Sequence, residues 1–272
     1  MNLILIHGIV GFHGLFRAGY MQAIGDHLAH AFKAMPLRVF LTNAAPASGI
    51  LSRVPLMRQQ ILDAFDSGEL DANARTHIFA HSMGGLDARY LLSPANPNHL
   101  GERVSSLTQI GVPNRGTPIV DFLVGEWRQN PVQDVIEQLS QTMLSILRAM
   151  QVDAEGIQDL TSDDLREFNQ IYRDHPNVYY FSVAGVGRSG WAATSRVLSP
   201  LYEITTLLSG ERNDGLVSLS SAQWGPAAAE EWPADHADLI GINMNFTFIR
   251  PLHYNVYAHY RDLVGRAASL HN

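Results

Sequence analysis

The sequence of 272 residues contains no cysteine. Disulfide bonds, thiolate nucleophiles and cysteine-ligated zinc sites are therefore excluded, while both reducing and oxidising compartments stay open. Basic residues are also few: 19 Lys and Arg against 26 Asp and Glu give a formal net charge of −7, and no cluster of Lys and Arg is present to neutralise phosphates. We therefore expect no nucleic-acid partner.

Long apolar runs are missing as well. No segment approaches the roughly 18 apolar residues of a membrane-spanning helix, so we expect no transmembrane segment, although an amphipathic surface can still make transient contact with a lipid interface. The first apolar run, Leu3 to Ile6, is too short for a signal-peptide core and follows no Lys or Arg. With no export signal visible, a cytoplasmic location and export by a signal-peptide-independent route are the two expectations.

Five short apolar runs recur between segments of helical periodicity. None alternates as a half-exposed strand does, which is typical of parallel strands covered by helices on both faces. The runs are Leu3 to Ile6, Leu37 to Leu41, Thr76 to Ala80, Val104 to Ile110 and Val178 to Val183. We therefore predict a single α/β domain over residues 1–272, with a mostly parallel central sheet flanked by helices and a site at the carboxyl ends of the strands.

Between the fourth and fifth predicted strands the connection is about 60 residues long, far more than an ordinary loop of a compact domain. We predict that residues 114–175 form a helical lid or cap insertion. Apolar residues from Val132 to Met150 follow helical steps, and this face either packs permanently on the domain or opens as a lid. The second predicted helix covers about Ser162 to Tyr172, with Thr161 or Ser162 as N-cap and Leu165, Phe168 and Ile171 or Tyr172 facing inward.

Ser82 stands where the third predicted strand turns into a helix, in Ala80-His81-Ser82-Met83-Gly84. Small residues two positions either side of the serine allow a sharp turn that lifts its hydroxyl clear, as a nucleophile requires. The alternative is that Ser82 only caps the helix that begins at Met83.

A serine nucleophile needs a base and an acid that orients the base. In hydrolases with this turn the serine comes first along the chain, the acid second and the histidine third. We predict Asp214, in Asn213-Asp214-Gly215, as the acid, although an ordinary turn residue is the alternative. Asp235 and Asp238 are rival acids, but both lie too close in sequence to the predicted base, His236. The competing bases are His253 and His259, which fall in or near a terminal helix, where packing or surface roles are the stronger interpretation.

The oxyanion of an acyl-transfer reaction needs main-chain N–H donors at fixed positions. One donor is predicted at Met83, directly after the nucleophile. The second is predicted at Ile9, where the glycines of His7-Gly8-Ile9-Val10-Gly11-Phe12 allow the loop after the first strand to bend, with a plain bend as the alternative.

With these residues assembled, the chain resembles the bacterial true lipases of the Pseudomonas and Burkholderia type, and most of all their compact Proteus-like branch. The resemblance spans nearly the whole chain. Its carriers are residues 7–12, 80–84, Gly111-Val112-Pro113-Asn114-Arg115-Gly116-Thr117, Asp121-Phe122, residues 213–217 and Asp235-His236-Ala237-Asp238. It implies the α/β-hydrolase fold, hydrolysis of triacylglycerols or related carboxylic esters, a triad of Ser82, Asp214 and His236, and a helical lid.

The resemblance also implies a structural calcium ion, with no cofactor required for the chemistry. In the family an Asp two residues after the histidine and a Gln four residues further on bind this ion. Asp238 matches the first, whereas Ile242 stands at the Gln position. Calcium binding would then depend on Asn243, Glu203 or main-chain carbonyls, and the alternative for Asp238 is an exposed loop charge or a partner for Arg250.

Three further functions stay open on the sequence alone. A short-chain carboxylesterase or an amidase would use the same triad without a preference for lipid interfaces. A non-catalytic lipid-binding module is also compatible with the fold, because a fold does not fix a function.

Overall fold

The computed structural model describes residues 1–8, 19–43, 48–125, 154–188, 194–195, 198–242 and 254–270. The strands are β1 (Asn2–Ile6), β2 (Arg38–Leu41), β3 (Thr76–His81), β4 (Ser106–Ile110), β5 (Tyr179–Gly185) and β6 (Glu230–Trp232). The helices of this part of the chain are α1 (Gly19–Ala31), α2 (Ile50–Asp66), α3 (Met83–Leu92), α4 (Pro118–Leu123), α5 (Ala154–Gln158), α6 (Ser162–Ile171), α7 (Ser199–Ser209), α8 (Leu219–Ala222) and α9 (Val256–Ser269). Two 3₁₀ turns cover Gly101–Arg103 and Asp238–Ile240.

The six strands form one parallel sheet in the order β2-β1-β3-β4-β5-β6. All five predicted strands are present within a few residues of their expected bounds. Every residue of β1, β3 and β4 is buried, which explains why their sequences lack polar alternation. The edge strand β6 was not predicted, because Glu230–Trp232 is three residues long and begins with two glutamates.

Successive residues of the strands supply two cores on opposite faces of the sheet. Leu3, Leu5 and Phe79 pack with residues of α1 and α9 on one face. Ile4 and Ile78 pack with residues of α2 and α3 on the other. Burying each such side chain contributes about 1.5–3 kcal/mol, so the helices are held on both faces and the loops at the strand ends become a fixed frame.

The direction of the sheet order changes at β1, because β2 lies on one side of it and β3 on the other. The connections that leave the carboxyl ends of the neighbouring strands β1 and β3 therefore diverge, and a crevice forms between them. The loop that begins with His7 follows β1, and Ser82 follows β3. The fold therefore places the predicted nucleophile at this crevice.

Of the predicted insertion 114–175, the structure describes residues 114–125 and 154–175. The helix predicted near Ser162 is confirmed as α6, and the Thr161 hydroxyl caps it by accepting the Asp164 N–H at 3.2 Å. Leu165 is buried as predicted, whereas Ile171 is 48% exposed. The predicted helical face from Val132 to Met150 lies outside the described residues, so the lid and the division of the chain stay predictions.

None of the helices in the described ranges is long and apolar enough to cross a membrane.

Candidate active site

Ser82 occupies a strained main-chain conformation between β3 and α3. Its φ is 53° and its ψ is −137°, and it is the one non-glycine residue with positive φ in the part of the chain described above. Such a conformation costs about 1–3 kcal/mol and persists where the surroundings enforce it. Ser82 stands at the N-cap position of α3, but its side chain makes no capping hydrogen bond within the described residues. The capping alternative is therefore wrong, and the hydroxyl is available for another role.

Glycine is required next to this turn because two segments of main chain approach each other closely. A Cβ added to Gly84 would lie 2.6 Å from the carbonyl oxygen of His7, and one added to Gly8 would lie 2.6 Å from the Cβ of Ser82. Both distances are shorter than any ordinary contact. The prediction that Ser82 needs a small residue two positions later is confirmed, and the crowding partner is the loop after β1.

Ser82, His236 and Asp214 are joined in series by hydrogen bonds. Oγ of Ser82 lies 3.0 Å from Nε2 of His236, and Nδ1 of His236 lies 2.7 Å from Oδ2 of Asp214. Asp214 is 1% exposed and His236 is 8% exposed. Because a carboxylate only accepts, Nδ1 carries a proton toward Asp214, and the lone pair of Nε2 of the neutral ring faces the serine. The geometry allows proton transfer from the hydroxyl to the imidazole.

The Asp214 carboxylate is fixed by its own turn. Its Oδ1 accepts the N–H groups of Leu216 at 2.9 Å and Val217 at 2.8 Å, which leaves Oδ2 for His236. Gly215 has a φ of 100°, a conformation that suits glycine. Asp214 is thus both the turn residue and the partner of the histidine, so the two interpretations of the sequence were not exclusive.

The rival acid Asp235 holds the loop that carries His236. Its Oδ1 accepts the N–H groups of Ala237 at 3.0 Å and Asp238 at 2.8 Å, and its Oδ2 accepts the N–H of Ser195 at 2.7 Å. Since both oxygens face main-chain donors, Asp235 fixes the loop rather than the imidazole. The competing base His259 stacks on Tyr254, with ring centroids 4.8 Å apart, and His253 lies outside the described residues.

The pKa of His236 is raised above its ordinary value of 6.5. Burial acts to lower it, but the negative charge of Asp214, the hydrogen bond to Asp214 and the charge of Asp235 together outweigh burial. The site therefore favours the charged form of this imidazole, the form it takes when it accepts a proton.

Of the two predicted oxyanion donors, the structure describes Met83. It begins α3, so its N–H lies in the first turn, where amides have no carbonyl partner within their own helix. The other, Ile9, lies outside the described residues. Just before it, the carbonyl oxygens of His7 and Gly8 accept from Nη2 of Arg53 at 3.1 Å and 3.4 Å. The last described residues of the loop after β1 are thus held by an arginine of α2.

Arg53 is part of a buried ion pair that the sequence did not reveal. Its Nε donates to Oδ2 of Asp87 at 2.8 Å, and both side chains are fully buried. Burial is the main cause that raises the pKa of Asp87 to about 6, and the charge of Arg53 opposes the increase. The pair connects the helix after the nucleophile with the loop after β1.

Asp238 lies in the 3₁₀ turn just after His236 and is 3% exposed, so it is not a surface charge. No group of three His, Asp or Glu side chains arranged to hold a metal ion occurs in the described ranges. Ile242 provides no side-chain oxygen, and Asn243 and Arg250 lie outside those ranges. Calcium binding at Asp238 therefore stays a prediction.

The chain matches no family model. It is 29% identical over 170 residues to triacylglycerol lipase 2 of Saccharomyces cerevisiae, a match that covers 62% of this chain and 47% of the yeast protein. The chain thus spans about half the length of this curated relative.

Solved structures resemble the chain over most of its length. Lipase 1 from Pelosinus fermentans matches with a TM-score of 0.62 at 16% identity and covers 100% of this chain and 99% of its own. The mature form of the Bacillus licheniformis lipase BlEst2 matches with a TM-score of 0.61 at 17% identity, covering 91% of this chain and 88% of that one. The predicted α/β-hydrolase fold, with a mostly parallel sheet flanked by helices, is confirmed.

Proposed function

We propose that this chain, which shares the fold of lipases and esterases, is a serine carboxylic ester hydrolase that acts through an acyl-enzyme on Ser82. The observation that carries the proposal is the hydrogen-bonded series from Ser82 Oγ through His236 to Asp214, with distances of 3.0 Å and 2.7 Å. A binding module has no need of an imidazole within reach of a strained serine.

In the proposed reaction, Nε2 of His236 removes the proton of Ser82 as Oγ attacks the ester carbonyl. The carbonyl oxygen becomes an oxyanion, which the N–H groups of Met83 and Ile9 stabilise. His236 then gives the proton to the leaving alcohol, and the acyl group stays on Oγ. Water next attacks the acyl-enzyme with His236 again as base, which releases the carboxylic acid and restores Ser82.

The proposed substrates are triacylglycerols or related lipid esters. Support comes from the similarity to the yeast triacylglycerol lipase and from the motifs of the Pseudomonas and Burkholderia true lipases, a family to which we propose the chain belongs. Transient contact with a lipid interface is part of the proposal. A calcium ion near Asp238 would be structural, and none of the steps above involves it.

Two measurements test the proposal. A fluorophosphonate probe, which reacts with activated serines, should label the wild-type protein once, on the peptide that contains Ser82. Rates on p-nitrophenyl esters should rise from acetate to long-chain acyl groups. A short-chain esterase or an amidase would be labelled but would prefer acetate or an amide, and a protein that stays unlabelled would have no activated serine.

The pH dependence of turnover should follow the raised pKa of His236. The imidazole must be neutral to accept the serine proton, so activity is lost as pH falls through this pKa. We therefore expect kcat/KM to rise with pH, with the midpoint of the acid limb above 6.5.

The variant Asp235→Asn tests the electrostatic cause of this midpoint. The charge of Asp235 contributes to the raised pKa of His236, so the midpoint should move to lower pH in this variant. A wild-type midpoint clearly below 6.5, or one unmoved by Asp235→Asn, would contradict the electrostatic description of the site.

A further inference from the structure

His81 lies directly before the nucleophile and contacts the main chain of the base. It ends β3, is 4% exposed, and its Nε2 lies 3.1 Å from the carbonyl oxygen of His236. Because a carbonyl only accepts, Nε2 of His81 carries the proton that it donates. The two imidazole rings lie against each other, with centroids 4.7 Å apart and planes tilted by 44°.

This hydrogen bond ties together the loop that carries the base and the strand that carries the nucleophile. The N–H of His236 donates to the carbonyl of Asp214 at 2.8 Å, so its main chain is held by the acid loop through one group and by His81 through the other. Functional groups act efficiently when they are held within about 0.5 Å of the productive geometry. A bond one residue away from Ser82 is well placed to maintain the 3.0 Å distance from Oγ to Nε2.

The neutral state of the His81 ring matters as much as its hydrogen bond. Burial is the main cause that holds its pKa well below 6.5, and the neighbouring His236 and His7 lower it as well, against the opposing effect of the bond to the His236 carbonyl. The negative charges of Asp214 and Asp235 act in the opposite sense on His236 and raise its pKa. When His236 accepts the serine proton, its positive ring faces the neutral ring of His81 rather than a second positive charge.

We propose that His81 is a positioning residue for His236: its Nε2–H holds the main chain of the base in register with Ser82. This role rests on the proposed hydrolase function, in which His236 is the proton acceptor. It gives a buried side chain, which the reaction itself does not touch, a defined effect on proton transfer.

Three variants separate this role from a merely structural one. His81→Leu removes the donor and fills the space. His81→Gln keeps a donor, because a glutamine amide nitrogen lies about as far along the side chain as Nε2 of histidine. His77→Leu is the matched control, since His77 is a buried histidine on the same face of β3, about 13 Å from His81, and contacts Ser106 at 2.8 Å.

The readouts are the rate of fluorophosphonate labelling and the kcat and KM for a p-nitrophenyl ester. We expect His81→Leu to lower the labelling rate and kcat about 10- to 100-fold, the range that a small misplacement of a catalytic group produces. KM should change little, because His81 touches His236 rather than substrate. His81→Gln should recover most of the loss, and His77→Leu should keep wild-type kcat even where its melting temperature falls.

Wild-type labelling by His81→Leu, or a loss in His81→Gln as large as in His81→Leu, would overturn the role of His81 while the hydrolase function stands. If the wild-type protein is not labelled at all, the proposed function fails and His81 loses its role with it. Should His81→Leu fail to fold, nitrogen NMR of the wild-type histidines decides: His81 must be neutral with its proton on Nε2, and a proton on Nδ1 alone or a charged ring overturns the proposal.

Discussion

Ser82→Ala is expected to lower ester turnover by on the order of 10⁶, because nucleophile, base and acid act as a unit and losing one removes nearly all that they contribute together. The change deletes only Oγ, the atom 3.0 Å from Nε2 of His236. Alanine keeps the Cβ and therefore the same main-chain strain at a φ of 53°. The measurement is kcat on a long-chain p-nitrophenyl ester, with thermal unfolding of both proteins recorded alongside.

Ser269→Ala is a suitable control for this experiment. Ser269 is an exposed serine at the end of α9, and its hydroxyl donates to the Arg266 carbonyl at 2.8 Å. This helix carries none of the nucleophile, base and acid side chains. Its turnover and its fluorophosphonate labelling should equal those of the wild-type protein. Turnover by Ser82→Ala within tenfold of wild type, in a sample free of contaminating esterase, would show that another group is the nucleophile.

The three residues of the hydrogen-bonded series could be predicted because each lies in a short local pattern. Small residues around Ser82 indicate a tight turn, and Asn213-Asp214-Gly215 indicates a second turn that exposes a carboxylate. The order of serine, acid and histidine along the chain then selects His236 among the later histidines. Local patterns of this kind are visible without knowledge of what packs against them.

Arg53 could not be predicted in the same way, because its partners are distant in sequence. Asp87 is 34 residues away and His7 is 46 residues away. Helical periodicity does place Arg53 on the buried face of α2, beside Val54 and Met57, and a charge on such a face requires a partner. Sequence thus contains a signal that a partner exists, but only the packing of α2 against α3 identifies it.

Asp235 shows a different limit of sequence reasoning. It stands next to the base and was considered only as a rival acid, yet it accepts three main-chain N–H groups of its own loop and of Ser195. Two aspartates in similar loops, Asp214 and Asp235, divide their oxygens differently between main chain and imidazole. This division depends on the direction of each side chain, which residue type and spacing do not determine.

Asp214→Asn is expected to lower kcat by about 10⁴, because it reverses the proton arrangement of the base. In the wild-type protein Oδ1 accepts the N–H groups of Leu216 and Val217, so an asparagine oxygen stays there and its NH₂ group takes the place of Oδ2. That NH₂ must donate to Nδ1 of His236, which moves the imidazole proton to Nε2 and removes the lone pair that faces Ser82. If the amide were turned round, its oxygen would again accept from Nδ1 of His236, but the N–H groups of Leu216 and Val217 would lose their acceptor. Each lost hydrogen bond would cost about 1–3 kcal/mol. Nitrogen NMR of His236 should therefore find the Nε2–H form in this variant and the Nδ1–H form in the wild-type protein.

Asp235→Asn is the control, because it weakens a loop contact instead. It should lower thermal stability and keep the Nδ1–H form of His236. An unchanged tautomer with near wild-type kcat in Asp214→Asn would mean that Asp214 does not orient the base.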